Sequence, residues 1–304
     1  MSAELRPAPT VEDGIVRDDQ PLATPGESPG RRTARAFVRN PLGVFGVVVL
    51  IGMVLTALFA PLIAEYPSGY GVDVLSPPSG EHWFGTDSLG RDIFAQVVWG
   101  ARTSLMIGGA ASAMAIAVGV AVGVAAAYFK RVETALGVLV DVTLSLPVLP
   151  LMILIAALAG PSTWTLAVVI ALFSWPEVAR VVRSQALSIV GLPYVEAGAL
   201  AGGSHLWIIR RHLVPAVAPV ITVSVVLTAS RAVLSESGLA FLGLGDPNGW
   251  SWGTILHNAQ RSGTLGTAWW TAAMPSLAIL LLVVAATLVS LAYNDARNPR
   301  TRED

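Results

Sequence analysis

The stretch TSLMIGGAASAMAIAVGVAVGVAAAY, Thr103–Tyr128, is 26 residues long and holds no ionisable side chain apart from its final tyrosine. A hydrocarbon core about 30 Å thick needs roughly 20 such residues in helical form. The stretch also carries small residues at Gly108, Gly109, Ala110, Ala111 and Ser112, and again at Gly119, Gly123, Ala125, Ala126 and Ala127. In lipid, where water exclusion does not drive association, small side chains let helix backbones approach closely. The segment therefore reads as a transmembrane helix in the interior of a bundle.

Four further runs have comparable length and few charges: Leu42–Ala64, Thr134–Ala159, Val214–Ser235 and Ala268–Tyr293. A sixth, Thr163–Leu187, starts apolar but carries Pro176, Glu177, Arg180 and Arg183 in its second half, so its inner end is expected to project past the bilayer. Pro147, Pro150 and Pro275 lie inside these runs and permit kinks. The composition agrees: of 304 residues, 54% are hydrophobic and only 13% charged, against about a quarter charged in soluble domains. The fold class is all-α, a polytopic membrane protein with six spans. An N-terminal polar tail, residues 1–34, is expected to be a disordered cytoplasmic extension, and residues 35–302 form the membrane domain.

Basic residues orient the spans, because short cytoplasmic loops are enriched in Lys and Arg. With both termini in the cytoplasm, Arg35, Arg39, Lys130, Arg131, Arg180, Arg183, Arg210, Arg211 and Arg297 fall inside, and only Arg91, Arg102 and Arg261 clearly outside. The long outer segment Glu65–Arg102 carries Ile93, Phe94, Val97 and Val98 at helical spacing, which predicts an amphipathic helix lying at the outer interface before the second span.

Several chemistries are excluded. The chain has no cysteine, hence no disulfide or thiolate site, and its net charge of −1 offers no nucleic-acid footprint. Its only lysine, Lys130, follows no glycine-rich loop, so no phosphate-binding loop exists and any nucleotide is handled by another chain. His82, His205, His212 and His257 are scattered without metal-ligand spacing, and no nucleophile elbow or catalytic carboxylate pair is present, so no catalytic or metal residue is assigned. Asp141, Arg231 and Glu236 lie within spans, where a charge costs about 2.5–3.5 kcal/mol; each is a candidate for the transport path or gate, or for a partner across a helix interface.

Between the fourth and fifth spans lies a helical elbow, residues 194–213. A helix from Tyr194 stops at Gly202-Gly203, Ser204 caps a second, and Pro215 opens the next span. Its first arm presents Ala197, Gly198 and Ala201 beside Glu196, a nearly bare surface that suits a partner's groove or, alternatively, the inner leaflet with Arg210 and Arg211 as anchors.

This elbow resembles the signature loop of bacterial ATP-binding-cassette importer permeases, with Glu196, Ala197, Gly202 and Pro215 at matching places. Gly198 departs from the family's alanine and His212 from its common isoleucine. Gly85, Thr86, Asp87, Gly90, Arg91 and Asp92 resemble the periplasmic motif of the dipeptide, oligopeptide and nickel branch, in its second permease subunit. Phe241 to Gly245 after Glu236, Ser251-Trp252-Gly253 and Asn294 to Arg300 resemble further motifs of that branch. The resemblance implies a type I importer permease fold and a coupling role for Tyr194, Glu196, Ala197, Gly198, Ala201, Gly202 and Pro215. It further implies a second homologous permease, two subunits holding ATP and magnesium, an extracytoplasmic binding protein, and peptides, nickel chelates or another small solute as cargo; this chain itself would hold no cofactor. A secondary transporter would need coupling-ion ligands at broken helices and often repeated halves, and no internal repeat is present. A channel would need a filter or charge ring, and neither is found.

Overall fold

The computed structural model describes residues 29–297. The expected extension up to residue 28 and the motif beyond Arg297 lie outside the described residues. Helix α1, Pro29–Val38, begins within the segment expected to be disordered, and α2, Pro41–Leu58, follows, capped by the Asn40 side chain on the amides of Leu42 and Gly43. A single turn, α3 (Ala60–Ile63), ends the first span.

The decisive stretch lies in α4, Ile93–Tyr128, a 36-residue helix about 54 Å long at the usual rise. The expected interfacial helix is therefore corrected. Ile93 to Val98 form the first turns of α4 itself, with Ile93 and Val98 buried among protein side chains instead of lying flat on lipid. The capping carboxylate of Asp92, which accepts from the Ala95 amide, starts the helix there, and no breaker separates those turns from the apolar run.

The third run is not one continuous helix: it forms α5, Lys130–Ser145, and α6, Val148–Ala159, bent by 84° at the break between them. Leu146, extended before Pro147, cannot continue a helix, and Pro147 has no amide hydrogen to donate. Helix α7, Thr163–Val190, runs unbroken through Pro176. After the elbow helices α8 (Pro193–Leu200) and α9 (His205–Ile208) comes α10, Val214–Leu239. Pro215 does not open a separate helix: α9 continues into α10 through a π turn at Ile209–Leu213, in which the Val214 amide reaches back five residues to the Ile209 carbonyl. A proline ring clashes with the carbonyl four residues before it, and a local π turn relieves the clash without stopping the helix. Helix α11, Trp252–Arg261, is short and capped by a Ser251/Thr254 box, and α12, Trp270–Arg297, is the last span. Among the described residues five helices or helix runs are long and apolar enough to cross a membrane, six if the bent pair counts as one.

Helix α4 is the hub, packed on α7 and α10, while α2 lies on α12. The small residues explain the contact. A Cβ added at Gly123 would lie 2.6 Å from the Ala179 carbonyl oxygen, and one at Gly119 the same distance from Val178 Cβ, so at these glycines the α4 backbone lies directly against α7.

Candidate functional site: the elbow and the opposite-end cluster

In the elbow, α8 is seated on the bundle by Val195 and α9 by Ile208, with Leu213 beneath the π turn; all three are buried in a common cluster with Val178, Val182 and Val217. These anchors fix which face is presented. Tyr194, Glu196, Ala197 and Ala201 stand outward, and Leu200 at the tip of α8 is 90% exposed. Gly202 turns the chain with φ of +82°, a left-handed conformation that glycine adopts without penalty. The Gly203 amide then bonds the Gly198 carbonyl at 3.0 Å, and the Ser204 hydroxyl accepts from the Trp207 amide at 3.3 Å to start α9.

The two departures from the family pattern sit together. His212 packs edge-on to Trp207 (5.1 Å between ring centres) and against Tyr194, and its Nε2 would be 3.5 Å from a Cβ at Gly198. A Cβ at this position would make only an ordinary contact with the imidazole, so the family's alanine would fit beside His212 as well. His205 hydrogen-bonds the Tyr128 hydroxyl at 2.9 Å, tying the elbow to the end of α4. Sequence reading missed Leu200 and Leu206, whose apolar side chains at an otherwise polar bend are both largely exposed; their residue type was the available signal.

At the opposite end, the Gly85 to Asp92 motif is a hydrogen-bonded knot. Asp87 accepts from the amides of Leu89 and Arg91, from Arg91 Nε at 2.9 Å and from Gln96 Nε2 at 2.9 Å. Thr86 accepts from the Ser76 amide, and its carbonyl accepts from Trp270 Nε1. Gly85 and Gly90 both have positive φ, and Gly85 lies against Trp270. The Arg91 guanidinium stacks on Trp250 at 4.8 Å and borders a cavity of about 470 Å³ lined also by Tyr66, Asp246, Asn248, His257 and Arg261. Asp92 caps α4 and accepts from His82 Nδ1 at 2.9 Å, while His82 Nε2 lies 3.8 Å from Asp73. Hydrogen bonding to Asp92, reinforced by charge from Asp73, raises the His82 pKa above the ordinary imidazole value, against an opposing contribution from burial.

The motifs at Glu236, Gly243 and Ser251 to Gly253 converge on one buried spot. Glu236 is 0% exposed and accepts from the Ser104 hydroxyl at 3.0 Å; Ser104 in turn accepts from the Trp252 amide at 3.2 Å. Gly253 abuts the Ser237 carbonyl, and Gly243, with φ of +87°, ends the helix where His257 Nδ1 hydrogen-bonds the Phe241 carbonyl. Glu236 thus ties α4, α10 and the start of α11 and faces no open space. Asp141 and Arg231 are placed elsewhere, on a half-open face: Asp141 accepts from Arg180 at 2.6 Å, and Arg231 pairs with Glu177. Among the described residues no group of three or more His, Asp or Glu side chains could hold a metal.

An all-helical bundle of apolar spans, an elbow with a bare outward arm and a knotted motif at the other end together define a membrane-embedded transport component. The family of binding-protein-dependent transport system inner membrane components matches residues 115–303, and the N-terminal transmembrane domain of oligopeptide transport permease C matches residues 28–78. The chain belongs to this family and is the pore-forming permease type of importer subunit. It is 35% identical over 280 residues to a Brucella abortus protein named as a peptide transport system permease, covering 91% of this chain and 94% of the relative. It is 33% identical, over 90% of this chain and 91% of the relative, to the dipeptide transport system permease protein DppC of Alkalihalophilus pseudofirmus.

Proposed function

We propose that this chain is one of two transmembrane subunits of an importer that carries peptides across the cytoplasmic membrane, with both termini in the cytoplasm and ATP and magnesium bound on two separate ATPase subunits. The peptide assignment is supported by what the relatives of similar length are named for. The orientation follows the basic residues at the elbow end, among them Lys130, Arg131, Arg210 and Arg211. An extracytoplasmic binding protein delivers solute to the end bearing the Asp87 knot and the 470 Å³ cavity.

The observation that carries the reading is the elbow. Val195, Ile208 and Leu213 grip the bundle while Glu196, Ala197 and Leu200 project from it. An exposed leucine at the tip of a short helix gains about 2 kcal/mol by leaving water for a protein groove, which favours docking. ATP shifts the equilibrium of the spans only because the ATPase pair closes differently on the two states, and the elbow, fused through the π turn to α10, transmits that difference. Because the native chain lacks cysteine, Leu200→Cys gives a single reporter. In the purified complex it is expected to form a disulfide with a cysteine placed in the ATPase subunit's groove, at a rate that changes when ATP is trapped. A Leu200→Cys chain that reacts only with lipid-soluble reagents and never with the ATPase would refute the assignment.

A further inference from the structure

Helix α7 carries ionisable residues at Glu177, Arg180 and Arg183, and each pairs with a different helix position. Glu177 meets Arg231 of α10; Arg180 donates to Asp141 of α5 at 2.6 Å; Arg183 donates to Glu133 of α5 at 2.9 Å. The first two pairs are the open ones. The Glu177 and Arg231 side chains are 58% and 65% exposed, and those of Arg180 and Asp141 are 60% and 69% exposed.

Depth makes that exposure significant. Helix α7 has 28 residues, about 42 Å at the usual rise, so Glu177 and Arg180 sit about 21 and 26 Å from its first residue. With the helix starting at the outer boundary both depths fall inside a hydrocarbon core about 30 Å thick, so the projecting inner end expected of this run begins at about Arg183, and Glu177 and Arg180 stay within the membrane. Four charges facing lipid there would each cost about 2.5–3.5 kcal/mol. Neither pair escapes by burial within the chain, so this face must look onto water or onto polar groups. On the same side of α7 Val181 is exposed, and Arg180, Ser184 and Leu187 border a cleft of about 240 Å³ shared with Leu136, Val140 and Asp141 of α5, whereas Val178, Ala179 and Val182 on the opposite stripe are buried against α4.

We infer that the α5, α7 and α10 face bearing these two pairs lines the aqueous transport path. There Glu177 and Arg180 offer a carboxylate and a guanidinium to the ammonium and carboxylate ends of a zwitterionic peptide. This rests on the importer reading and adds to it: the path-facing residues include Glu177 and Arg180, while Glu236 is a packing residue. Each charged group of the peptide exchanges with a pair that already exists, so its passage strands no charge in the membrane.

The test uses the complete transporter in vesicles, with the cysteine-free native chain as background. Val181→Cys lies on the exposed stripe and Val182→Cys on the buried one. A cationic, membrane-impermeant methanethiosulfonate is expected to modify Val181→Cys at least tenfold faster than Val182→Cys. Binding protein plus trialanine during ATP turnover should slow it several-fold. Modification of the two at equal rates would overturn the path assignment. Unaltered modification in a complex that imports trialanine would overturn the contact with solute. Failure of the unsubstituted complex to import trialanine would instead count against the peptide reading, because the labelling comparison needs no solute. As a second arm, Glu177→Arg or Arg231→Glu alone should lower uptake at least tenfold and the double exchange should recover most of it; single reversals with native uptake would overturn the role of the pair.

Discussion

The elbow has three glycines whose replacement by alanine separates three physical effects at nearly one place. Gly198 lies in α8, where an added Cβ meets nothing closer than 3.5 Å, an ordinary contact, and alanine favours helix over glycine by about 1 kcal/mol. Gly202 has open space around it but a φ of +82°, so alanine there costs about 1–2 kcal/mol of backbone strain. Gly203 has an ordinary φ but is crowded: its Cβ would stand 2.8 Å from both the Gly198 carbonyl oxygen and Trp207 Cε3. The oxygen is backbone and cannot swing away, so α8 and α9 must part and the 3.0 Å bond from the Gly203 amide to that carbonyl is lost, a combined penalty of about 2–4 kcal/mol. A penalty of 1–2 kcal/mol weights a local equilibrium by about 5–30-fold. Solute-stimulated ATP hydrolysis by the reconstituted complex should therefore fall in the order Gly198→Ala, near native; Gly202→Ala, several-fold reduced; Gly203→Ala, reduced at least tenfold. Membrane insertion should be unchanged in all three. If Gly198→Ala proved as damaging as Gly203→Ala, the local geometry derived for the elbow would be wrong.

Three other outcomes follow from named contacts. Ala197→Arg, on the exposed arm of α8, should abolish co-purification of the ATPase subunits while leaving the chain inserted; retained co-purification counts against docking at that surface. Gly123→Leu should lower the midpoint of thermal unfolding, because even its Cβ would stand 2.6 Å from the Ala179 carbonyl oxygen, an overpacking cost of about 1–3 kcal/mol; an unchanged midpoint would mean that α4 and α7 are not so closely joined. The His82 clasp has a raised pKa, so its stabilisation is complete below the ordinary imidazole pKa and is lost as pH rises through the raised value. Amide exchange around Ala95 at the start of α4 should accordingly quicken with pH more steeply than base catalysis alone dictates, and His82→Ala should remove the excess.

The spans were legible because hydropathy over about 20 residues is a property of composition, and lipid leaves a helix no alternative. The break at Pro147 was visible only as a permitted kink. Its 84° bend depends on Leu146 adopting an extended conformation, which hydropathy does not record. The first turns of α4 were misplaced at the interface because Ile93, Phe94, Val97 and Val98 show the same spacing whether a helix lies on lipid or stands inside protein; burial, not periodicity, separates the cases. At the elbow the glycines, Ser204 and the bare arm were readable one by one, since turns and caps are local. The contact between Gly198 and His212 was not, nor was the chain from Glu236 through Ser104 to Trp252, which joins residues more than a hundred positions apart. Asp141 and Arg231 could be flagged as costly charges, but their partners Arg180 and Glu177 depend on how α7 rotates against α5 and α10.

The central claim is that this chain supplies moving walls and a separate ATPase supplies the work. Its most direct test is uptake of labelled trialanine into sealed vesicles holding this chain, its sister permease and the two ATPase subunits, with binding protein outside, ATP inside and no ion gradient. Uptake that requires ATP and disappears when the ATPase subunits are left out is the predicted result. Uptake that continues without them, or that follows an imposed ion gradient, would contradict it.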